Sequence, residues 1–542
     1  MPKTVLILGA GINGAALARE LALNGLGVVL VDTHDIASGA TSYSSRLIHG
    51  GLRYLEYGDF ALVRESLGER TRLLRLAPQF VRPLRLFIPV QNRFGGLMSA
   101  ARRFLGLKDR PHPGRVLHRG LWTVRFGLWL YDKYARDPSL PKHESHRSTD
   151  ANVVQVDPAI YRWVCSFSDA QVVFSERFTL ALLNDARQIA AANGTEFRVL
   201  TYHEAVLAGQ AVTIRRQGSP QIVQQLQPSV IVNATGAWVD ATLQSLGVPS
   251  KRLMGGTKGS HFITSNSRLQ NLLAGRAVYT EAGDGRPIFI LRFDLPFMKG
   301  TLVGTTDEPF QGDPATAIAT QHELEYLVVA VNEVFPSLGL TLADIDLHYA
   351  GVRPLPFSDA STPGAVSRRH WMEPNANCQL PLYSIIGGKL TTCRSLAEEA
   401  AGEILKRVGL PRIADSSERP ITERETIFAV RSGDVSSPPA AMEISPSNSP
   451  TDPSKNPVLL TCTQIPLDVV RQVIREEWVS KLDDLVERRL MLLYHPNLTR
   501  DCLNHLADLL IEAGLLTAAE KAAAVGTVID RLASHFGKQV LP

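Results

Sequence analysis

The N-terminal segment alternates between apolar runs, a glycine-rich turn and a helical pattern. Residues 4–8 are almost entirely apolar, and residues 28–31 form a second apolar run. Between them, small and apolar residues recur at the three-and-four spacing of a helix, and this pattern ends at Asn24-Gly25. The pattern predicts a strand, a helix and a second strand parallel to the first, which is the basic unit of an α/β domain.

Two further strand-to-helix turns resemble the first in composition, near residues 230–240 and 385–392. Strand-like segments of mixed character lie between the three turns, so we expect the chain to return repeatedly to one Rossmann-like nucleotide-binding domain. The predicted pieces of this domain are 1–75, 150–240 and 345–410. The insertions, 76–149 and 241–344, are predicted to form an α+β substrate-binding or cap domain over the nucleotide.

The last part of the chain differs in pattern from the rest. Residues 432–457 contain seven serines and six prolines, which predicts a linker because such a segment buries too little apolar surface to become ordered. Beyond it, residues 460–542 show apolar positions at helical spacing only. We therefore predict a small all-α C-terminal domain, and an α/β protein overall.

Composition and charge exclude several classes of protein. The 57 basic and 53 acidic residues give a net charge of only +4, too small to indicate a nucleic-acid partner. No stretch of 18 or more apolar residues is present, which argues against a helix spanning a membrane. The five cysteines are never spaced as CxxC, so neither a metal site nor a disulfide framework is expected. With no signal-peptide pattern at residues 1–30, we expect an intracellular protein.

The first turn carries a fingerprint for binding an ADP group. Gly9, Gly11 and Gly14 form the pattern GxGxxG directly between the first strand and the helix. Such glycines permit a tight turn, a close approach to pyrophosphate and close packing of helix on strand, while free N–H groups at the helix start attract phosphate. Asp32, at the end of the second strand, is placed to accept hydrogen bonds from ribose hydroxyls.

The other two turns favour FAD over NAD. The run Val230–Trp238 ends a buried strand in small residues, where the backbone can approach the same ADP group. The third turn, 387–392, precedes a clear helix. A helix N-terminus there can stabilise the negative charge that a reduced flavin develops, and NAD carries no such charge.

Several motifs together resemble the FAD-dependent, aerobic glycerol-3-phosphate dehydrogenases. This quinone-linked family belongs to the D-amino-acid-oxidase-like FAD oxidoreductases. The resemblance rests on residues 41–56, 258–261, 304–307, 349–355 and 387–392, and on 477–489 in the C-terminal domain. Arg46 stands where the family usually has lysine. The resemblance implies a flavoprotein of glycerol metabolism, peripheral on the cytoplasmic face of the cell membrane, that oxidises glycerol 3-phosphate with non-covalent FAD. A homodimer and a monomer are both open.

The resemblance also implies site residues. Cofactor binding is predicted for Gly9, Gly11, Ile12, Asn13, Gly14, Asp32, Thr41, Ser42, Ser45, His49, Gly50, Gly51, Ala205, Val206, Ala234, Gly236, Gly388, Lys389, Leu390 and Thr391. Substrate binding is predicted for Arg53, Tyr54, Arg353, Arg368 and Lys389, because a phosphate needs a cationic anchor and arginine presents a forked one. His261, Arg353 and Lys389 are the predicted catalytic residues.

The oxidation of an alcohol by a flavin also requires a base for the hydroxyl proton. His261 is our candidate, since a neutral imidazole accepts a proton near pH 7. Lys389 remains an alternative base if neighbouring positive charge lowers its pKa. Cys393 lies near the third turn and raises the alternative of a covalent flavin, although a packed thiol is the commoner role.

Residues 93–136 suggest contact with a membrane surface. They hold ten basic residues and two acidic ones, interleaved with aromatic residues that include Trp122 and Trp129. Such a segment suits an anionic bilayer that supplies a quinone, and a solvated face of an ordinary helix is the alternative.

Two other functions remain open from the sequence. One is a flavin oxidase that uses oxygen or acts on another small hydroxy or amino substrate. The other is a non-catalytic flavin-binding scaffold whose helical tail recruits a partner. The shared fold does not distinguish them.

Overall fold

The structure is a computed structural model that describes residues 3–55, 58–94, 120–358, 369–421 and 458–542. The predicted linker, 432–457, lies outside these residues, and so does most of the basic segment. The strands are β1 (Thr4–Leu8), β2 (Gly27–Asp32), β3 (Leu47–Ile48), β4 (Val81–Val90), β5 (Glu144–Arg147), β6 (Trp163–Val172), β7 (Phe197–Thr201), β8 (His203–Ala208), β9 (Ala211–Arg216), β10 (Ile222–Leu226), β11 (Val230–Asn233), β12 (Thr257–Thr264), β13 (Ala277–Glu281), β14 (Pro287–Leu295), β15 (Met298–Gly304), β16 (Glu308–Pro309), β17 (Leu347–Arg353), β18 (Trp371–Pro374) and β19 (Leu382–Ile386).

The helices begin and end where local sequence signals place them. The first one stops at Asn24-Gly25 as predicted, and the seventh starts with a capping box between Thr320 and Glu323. No described helix is long and apolar enough to cross a bilayer. The helices are α1 (Ile12–Leu23), α2 (Phe60–Leu76), α3 (Leu121–Ala135), α4 (Ser175–Asn193), α5 (Val239–Ser245), α6 (Ser267–Leu273), α7 (Gln321–Val334), α8 (Cys393–Val408), α9 (Leu467–Glu476), α10 (Arg500–Glu512) and α11 (Lys521–Phe536).

The first sheet is the predicted Rossmann-like layer. Its strands run in the order β18-β19-β11-β1-β2-β7, and all pairs are parallel except β18 with β19. The apolar residues of β1 and β2 are fully buried between two layers. Helix α1 packs with α4 and α8 on one face, and a small sheet of β10, β9 and β8 covers the other face together with α5.

The second sheet forms the core of the predicted substrate-binding domain. Its strands run in the order β16-β12-β15-β14-β13-β4-β6-β3, with β17 paired to β12 and β5 to β6. Strand β12 lies between β15 and β17 and is antiparallel to both. Helix α7 packs against one face of this sheet. The predicted combination of an α/β nucleotide-binding domain with an α+β domain is confirmed.

Strands β3, β6 and β17 lie in the second sheet, although the predicted boundaries place them in the nucleotide-binding domain. The piece 150–240 includes β6, and the piece 345–410 includes β17, yet both strands pair in the second sheet. Strands β6 and β17 are almost entirely buried, as are β1 and β2 of the first sheet, so the sequence of such a strand does not reveal its pairing partner. The domain boundaries themselves stay a prediction.

The C-terminal domain is helical, as predicted, and packs on both other domains. Helices α9 to α11 share a hydrophobic core with the second sheet. Buried ion pairs join the domain to the first sheet: Arg489 binds both oxygens of Asp35 at 2.7 Å, and Glu477 binds Arg177 at 2.5 Å. Asp35 lies three residues beyond Asp32, so the domain contacts the loop that follows the ADP-binding turn.

Candidate active site

A cavity of about 570 Å³ runs between the two sheets, from the first glycine turn to Arg353. It is lined at one end by Gly9, Gly11 and Asp32, and at the other by His261 and Arg353. The carboxyl ends of β1, β2 and β11 meet at its floor, which is where open α/β sheets bind their ligands. Its volume lies within the range of cofactor and ligand sites.

The ADP end has the geometry that the fingerprint predicts. A Cβ atom on Gly14 would lie 2.0 Å from the carbonyl oxygen of Gly9, so only glycine permits this packing of helix on strand. The carboxylate of Asp32 accepts hydrogen bonds from the backbone N–H of Ala10 at 2.6 Å and of His34 at 2.8 Å. Burial raises the pKa of Asp32 to about 6, against the effect of these two donors. Asp32 is therefore ionised at neutral pH and can accept from ribose hydroxyls.

The second and third turns close over the same cavity. Ala234 and Gly236 line it after β11, and Gly388 lines it after β19. Gly388 has φ +94°, and a Cβ atom there would lie 2.6 Å from the side-chain nitrogen of Asn13. The hydroxyl of Thr391 accepts from the backbone N–H of His49 at 3.1 Å, which joins the third turn to the predicted flavin-binding loop.

The lining residues fit FAD. The first turn offers N–H groups for a pyrophosphate, Asp32 suits a ribose, and the third turn leads into the N-terminus of α8, whose dipole favours an anion. When bound, FAD would supply a hydride acceptor at the end of the cavity near His261. Cys393 is 1% exposed and is not among the lining residues that the structure describes, so its packing gives no support for a covalent link there.

Most predicted cofactor residues line the cavity, and four do not. Gly14 and Ser42 lie just behind the lining, where Gly14 packs on Gly9 and the Ser42 hydroxyl donates to the carbonyl of Ala37. Gly50 donates its N–H to the hydroxyl of Tyr131, and Val206 is half-buried in β8 beside the lining residue Ala205. The lining set is Gly9, Gly11, Ile12, Asn13, Asp32, Thr41, Ser45, His49, Gly51, Ala205, Ala234, Gly236, Gly388, Lys389, Leu390 and Thr391.

His261 is held rigidly in the wall of the cavity. It lies on β12 opposite Gly304 of β15, where a Cβ atom would be 2.1 Å from the imidazole. On its other side the ring of Tyr349 stacks at a centroid distance of 5.0 Å. The Nε2 atom is 2.9 Å from the hydroxyl of Ser45. The imidazole is only 2% exposed, so its orientation is fixed before any ligand binds.

The surroundings of His261 keep the imidazole neutral. Burial lowers its pKa well below the usual 6.5, and the positive charges of Arg353 and Arg46 lower it further. A neutral imidazole has one nitrogen with a lone pair, which can accept a proton. The position therefore suits a base that is ready at neutral pH.

Arg353 is fixed in the cavity by acceptors of the second sheet. Its Nη1 donates to Asp307 at 2.8 Å, and its Nη2 donates to the hydroxyl of Thr305 at 2.8 Å and the carbonyl of Thr306 at 2.9 Å. These bonds engage both Nη atoms of the guanidinium. Arg353 therefore contributes a positive charge in a fixed position rather than a two-pronged hydrogen-bond donor for a ligand.

Lys389 brings a second positive charge to the same end. Its ammonium lies 4.3 Å from the ring centroid of Tyr54, a cation–π contact, and both residues line the cavity. The side chain of Arg53 and the whole of Arg368 lie outside the described residues. Their predicted contacts with substrate stay predictions.

Several lining residues were not predicted as site residues. The cavity is also lined by Tyr279 of β13, Phe289 of β14 and Arg286 of the turn between these strands. Thr305 and Asp307 hold Arg353. The motif 304–307 was noted in the sequence, but no role was assigned to it. The hydroxyl of Thr305 and the carboxylate of Asp307 follow a strand directly. This pattern was the available signal for side chains that bind an arginine.

Comparisons with known proteins agree with this geometry. Residues 4–372 match the family model described as FAD dependent oxidoreductase. A glycerol-3-phosphate dehydrogenase of Synechocystis is 33% identical over 74% of this chain and 69% of that protein. A D-erythritol 1-phosphate dehydrogenase of Brucella abortus is 32% identical over 73% of each protein.

One solved structure covers nearly the whole chain. The glycerol-3-phosphate dehydrogenase of Bacillus halodurans, complexed with FAD, aligns with a TM-score of 0.62 at 18% identity. The alignment covers 98% of this chain and 95% of that one. At this identity the likeness shows a shared fold, including the C-terminal region.

Proposed function

This chain belongs to the family of FAD-dependent oxidoreductases, and from that membership we propose that it oxidises sn-glycerol 3-phosphate to dihydroxyacetone phosphate. The predicted family and the predicted cofactor, FAD, are both confirmed. The chain is therefore an enzyme of the oxidoreductase class. Its substrate is inferred from the names of relatives and from the chemistry of the cavity.

One arrangement carries the proposal: a neutral histidine and two fixed cations meet at the flavin end of the cavity. His261 supplies the proton acceptor, while Arg353 and Lys389 supply the positive charge that a phosphate monoester requires. The geometry therefore favours a phosphorylated alcohol over a free polyol.

In the proposed mechanism the protein binds, orients and deprotonates the substrate. Lys389 and Arg353 attract the phosphate and leave the secondary hydroxyl facing the histidine. His261 accepts the hydroxyl proton through Ser45: the Ser45 hydroxyl, 2.9 Å from Nε2, passes its own proton to that nitrogen as it takes the proton of the substrate. The walls formed by Tyr279 and Phe289 exclude water from the reacting carbon.

A longer phosphorylated polyol is the second candidate substrate. The Brucella abortus relative, named for D-erythritol 1-phosphate, is about as similar to this chain as the Synechocystis one. Both substrates share a phosphate and a secondary alcohol, so the residues described above suit either.

An anaerobic titration of the purified holoenzyme tests the function. We expect glycerol 3-phosphate to bleach the flavin absorbance completely, with D-erythritol 1-phosphate less effective and glycerol inactive because it lacks the phosphate. Unbleached flavin with glycerol 3-phosphate in excess would contradict the proposal. Stoichiometric peroxide on admission of air would favour the oxidase alternative.

We further propose that electrons leave to a membrane quinone near α3. The inner face of this helix is buried, and its Tyr131 hydroxyl accepts from the N–H of Gly50, next to the predicted flavin contact His49. Its outer face exposes Trp122, Phe126 and Trp129, which are 47%, 60% and 49% exposed. We call these three side chains the aromatic face of α3.

Basic residues beside the aromatic face favour contact with an anionic bilayer. The guanidinium of Arg125 lies 5.1 Å from the ring of Trp122, and the ammonium of Lys133 lies 5.2 Å from that of Trp129. Basic groups beside exposed tryptophans are typical of helices that lie in the interface of a membrane. The same helix would then connect the flavin loop to the quinone.

Vesicle sedimentation measures this contact. We expect the protein to sediment with vesicles of anionic phospholipid at low salt, and less at high salt because the charges are screened. Replacing the aromatic face by three serines should weaken binding by at least about tenfold, since each buried aromatic side chain contributes ~1 kcal/mol or more. Trp371→Ser, an exposed tryptophan outside this face, is the control. Equal sedimentation of the triple variant and the wild type would contradict the assignment.

A further inference from the structure

The loop of residues 41–46 is enclosed between the second sheet and the C-terminal domain. On the sheet side, the hydroxyl of Tyr349 donates to the carbonyl of Ser44 at 2.9 Å. Gly351 packs so closely that a Cβ atom there would lie 2.6 Å from the carbonyl oxygen of Tyr43. The loop is therefore pressed against the strands that carry the catalytic residues.

On the opposite side of the loop 41–46, Arg46 makes most of the contacts. It is fully buried, has φ +55°, and binds both oxygens of Glu176 at 2.6 and 2.7 Å. The guanidinium also donates to the backbone carbonyls of Ser42 and Val173, at 3.1 and 2.8 Å. These bonds pin the loop to the first helix after β6.

The C-terminal domain supplies the remaining partner of Arg46. The hydroxyl of Tyr494 accepts from Nη2 of Arg46 at 2.8 Å, and its ring lies 5.7 Å from the guanidinium. Tyr494 is only 3% exposed. The two N–H groups of Nη2 are shared among this hydroxyl, the Ser42 carbonyl and the Glu176 carboxylate, so removing the hydroxyl would free the guanidinium to shift toward the other two acceptors.

A second contact between the domain and the loop lies at Tyr43. Arg531 of α11 donates to the hydroxyl of Tyr43 at 3.1 Å and pairs with Glu487. The ring of Phe536 lies 6.1 Å from that of Tyr43. The C-terminal domain thus holds the loop at two positions on either side of Ser45.

Ser45 connects this arrangement to the chemistry. It lies between Tyr43 and Arg46, lines the cavity, and bonds to Nε2 of His261 at 2.9 Å. The other imidazole nitrogen, Nδ1, is buried and makes no hydrogen bond within the described residues. Ser45 is thus the side chain that the structure places in hydrogen-bond contact with this histidine.

We propose that the C-terminal domain contributes to catalysis by holding the loop 41–46 in place, and that Tyr494 is a positioning residue. Tyr494 fixes Arg46, Arg46 fixes the loop, and the loop sets the hydrogen bond from Ser45 to His261. This inference rests on the proposed role of His261 as proton acceptor. It assigns the helical tail a role in catalysis in place of partner recruitment.

If the C-terminal domain only stabilises the fold, a different result is expected. A matched variant can distinguish this case from a role in catalysis. Tyr202 is half-buried and also has a hydroxyl bonded across the same domain boundary, donating to Asp484 at 2.5 Å. It does not contact the loop 41–46. Tyr494→Phe and Tyr202→Phe therefore remove the same atom from the same interface, but only the first removes it from the chain of contacts to His261.

Stopped-flow reduction of the FAD holoenzymes separates the two cases. We expect Tyr494→Phe to slow anaerobic reduction at saturating substrate by about tenfold, since small misplacements of reacting groups have effects of this size or larger. The KM and the FAD content should stay within twofold of wild type. Tyr202→Phe should lower the melting temperature comparably while reducing at close to the wild-type rate. Equal slowing by both variants, or by neither, would overturn the proposal.

A double-mutant cycle with Ser45→Ala tests the route of the effect. If Tyr494 acts through Ser45, Tyr494→Phe should slow reduction less than twofold in the Ser45→Ala background, because coupled residues are not additive. Full additivity in the rate would contradict the route. A wild-type enzyme that glycerol 3-phosphate does not reduce would instead refute the proposed function, before any variant is compared.

Discussion

Replacing His261 with alanine should slow anaerobic reduction of the flavin by a factor of about 10² or more, which is the usual contribution of a general base. The flavin should stay bound, because His261 lies at the substrate end of the cavity and not at the ADP end. Rapid mixing with glycerol 3-phosphate, followed at the flavin absorbance, measures the rate constant. A wild-type rate would remove His261 from this role.

A variant of Lys389 and the pH dependence of the reduction rate distinguish His261 from Lys389, the alternative base. Lys389→Met should mainly raise the KM if Lys389 binds phosphate, whereas a base would lower the reduction rate at saturating substrate. An imidazole accepts a proton only while it is neutral, and the pKa of His261 lies well below 6.5. The wild-type reduction rate should therefore stay constant as pH falls from 8 to 6.5, and decrease only at lower pH. A decrease that begins above pH 7 would point to a different group.

Replacing Gly9 with alanine should remove FAD from the purified protein. Gly9 has φ +104°, and a Cβ atom would lie 2.7 Å from the carbonyl oxygen of Ala234. Relieving this contact requires the first and second turns to separate at the place where the ADP group would bind. We expect occupancy of roughly a tenth or less, since strain of about 1–3 kcal/mol acts directly on binding. The ratio of flavin to protein absorbance measures it.

Gly25→Ala is the matched control for this effect. Gly25 also has positive φ, +73°, but a Cβ atom there would meet nothing within 4 Å. It lies just after the end of α1, outside the lining of the cavity. This variant should lose a little stability and keep its yellow colour. A yellow Gly9→Ala protein would show that the two turns tolerate separation.

The ADP site could be predicted from sequence because its signals are local. Gly9, Gly14 and Asp32 belong to one strand-helix-strand unit, and each residue has a role that follows from backbone geometry within that unit. The contact of Ser45 with His261 could not be predicted in this way. These residues are 216 positions apart, and their distance depends on how a loop packs against a strand of another domain.

Buried charges also resist prediction from sequence. Arg488 and Arg489 lie in a charge-rich run, 483–489, that is typical of a solvated helix face, yet both are almost fully buried around Asp35. An amphipathic pattern identifies the face that is buried but not the surface that covers it. The docking of the C-terminal domain, with its contacts to Arg46 and Tyr43, therefore became visible only in the structure.

The contact between Arg46 and Tyr494 also has a consequence for biosynthesis. The loop near the N-terminus leaves the ribosome long before its C-terminal support, and at ordinary translation rates the delay is about 20 to 90 s. During that interval the nascent chain has a glycine fingerprint but no completed flavin pocket. We expect tight loading of the coenzyme to follow release of the finished polypeptide, so that prematurely terminated chains emerge colourless and are left to proteolysis.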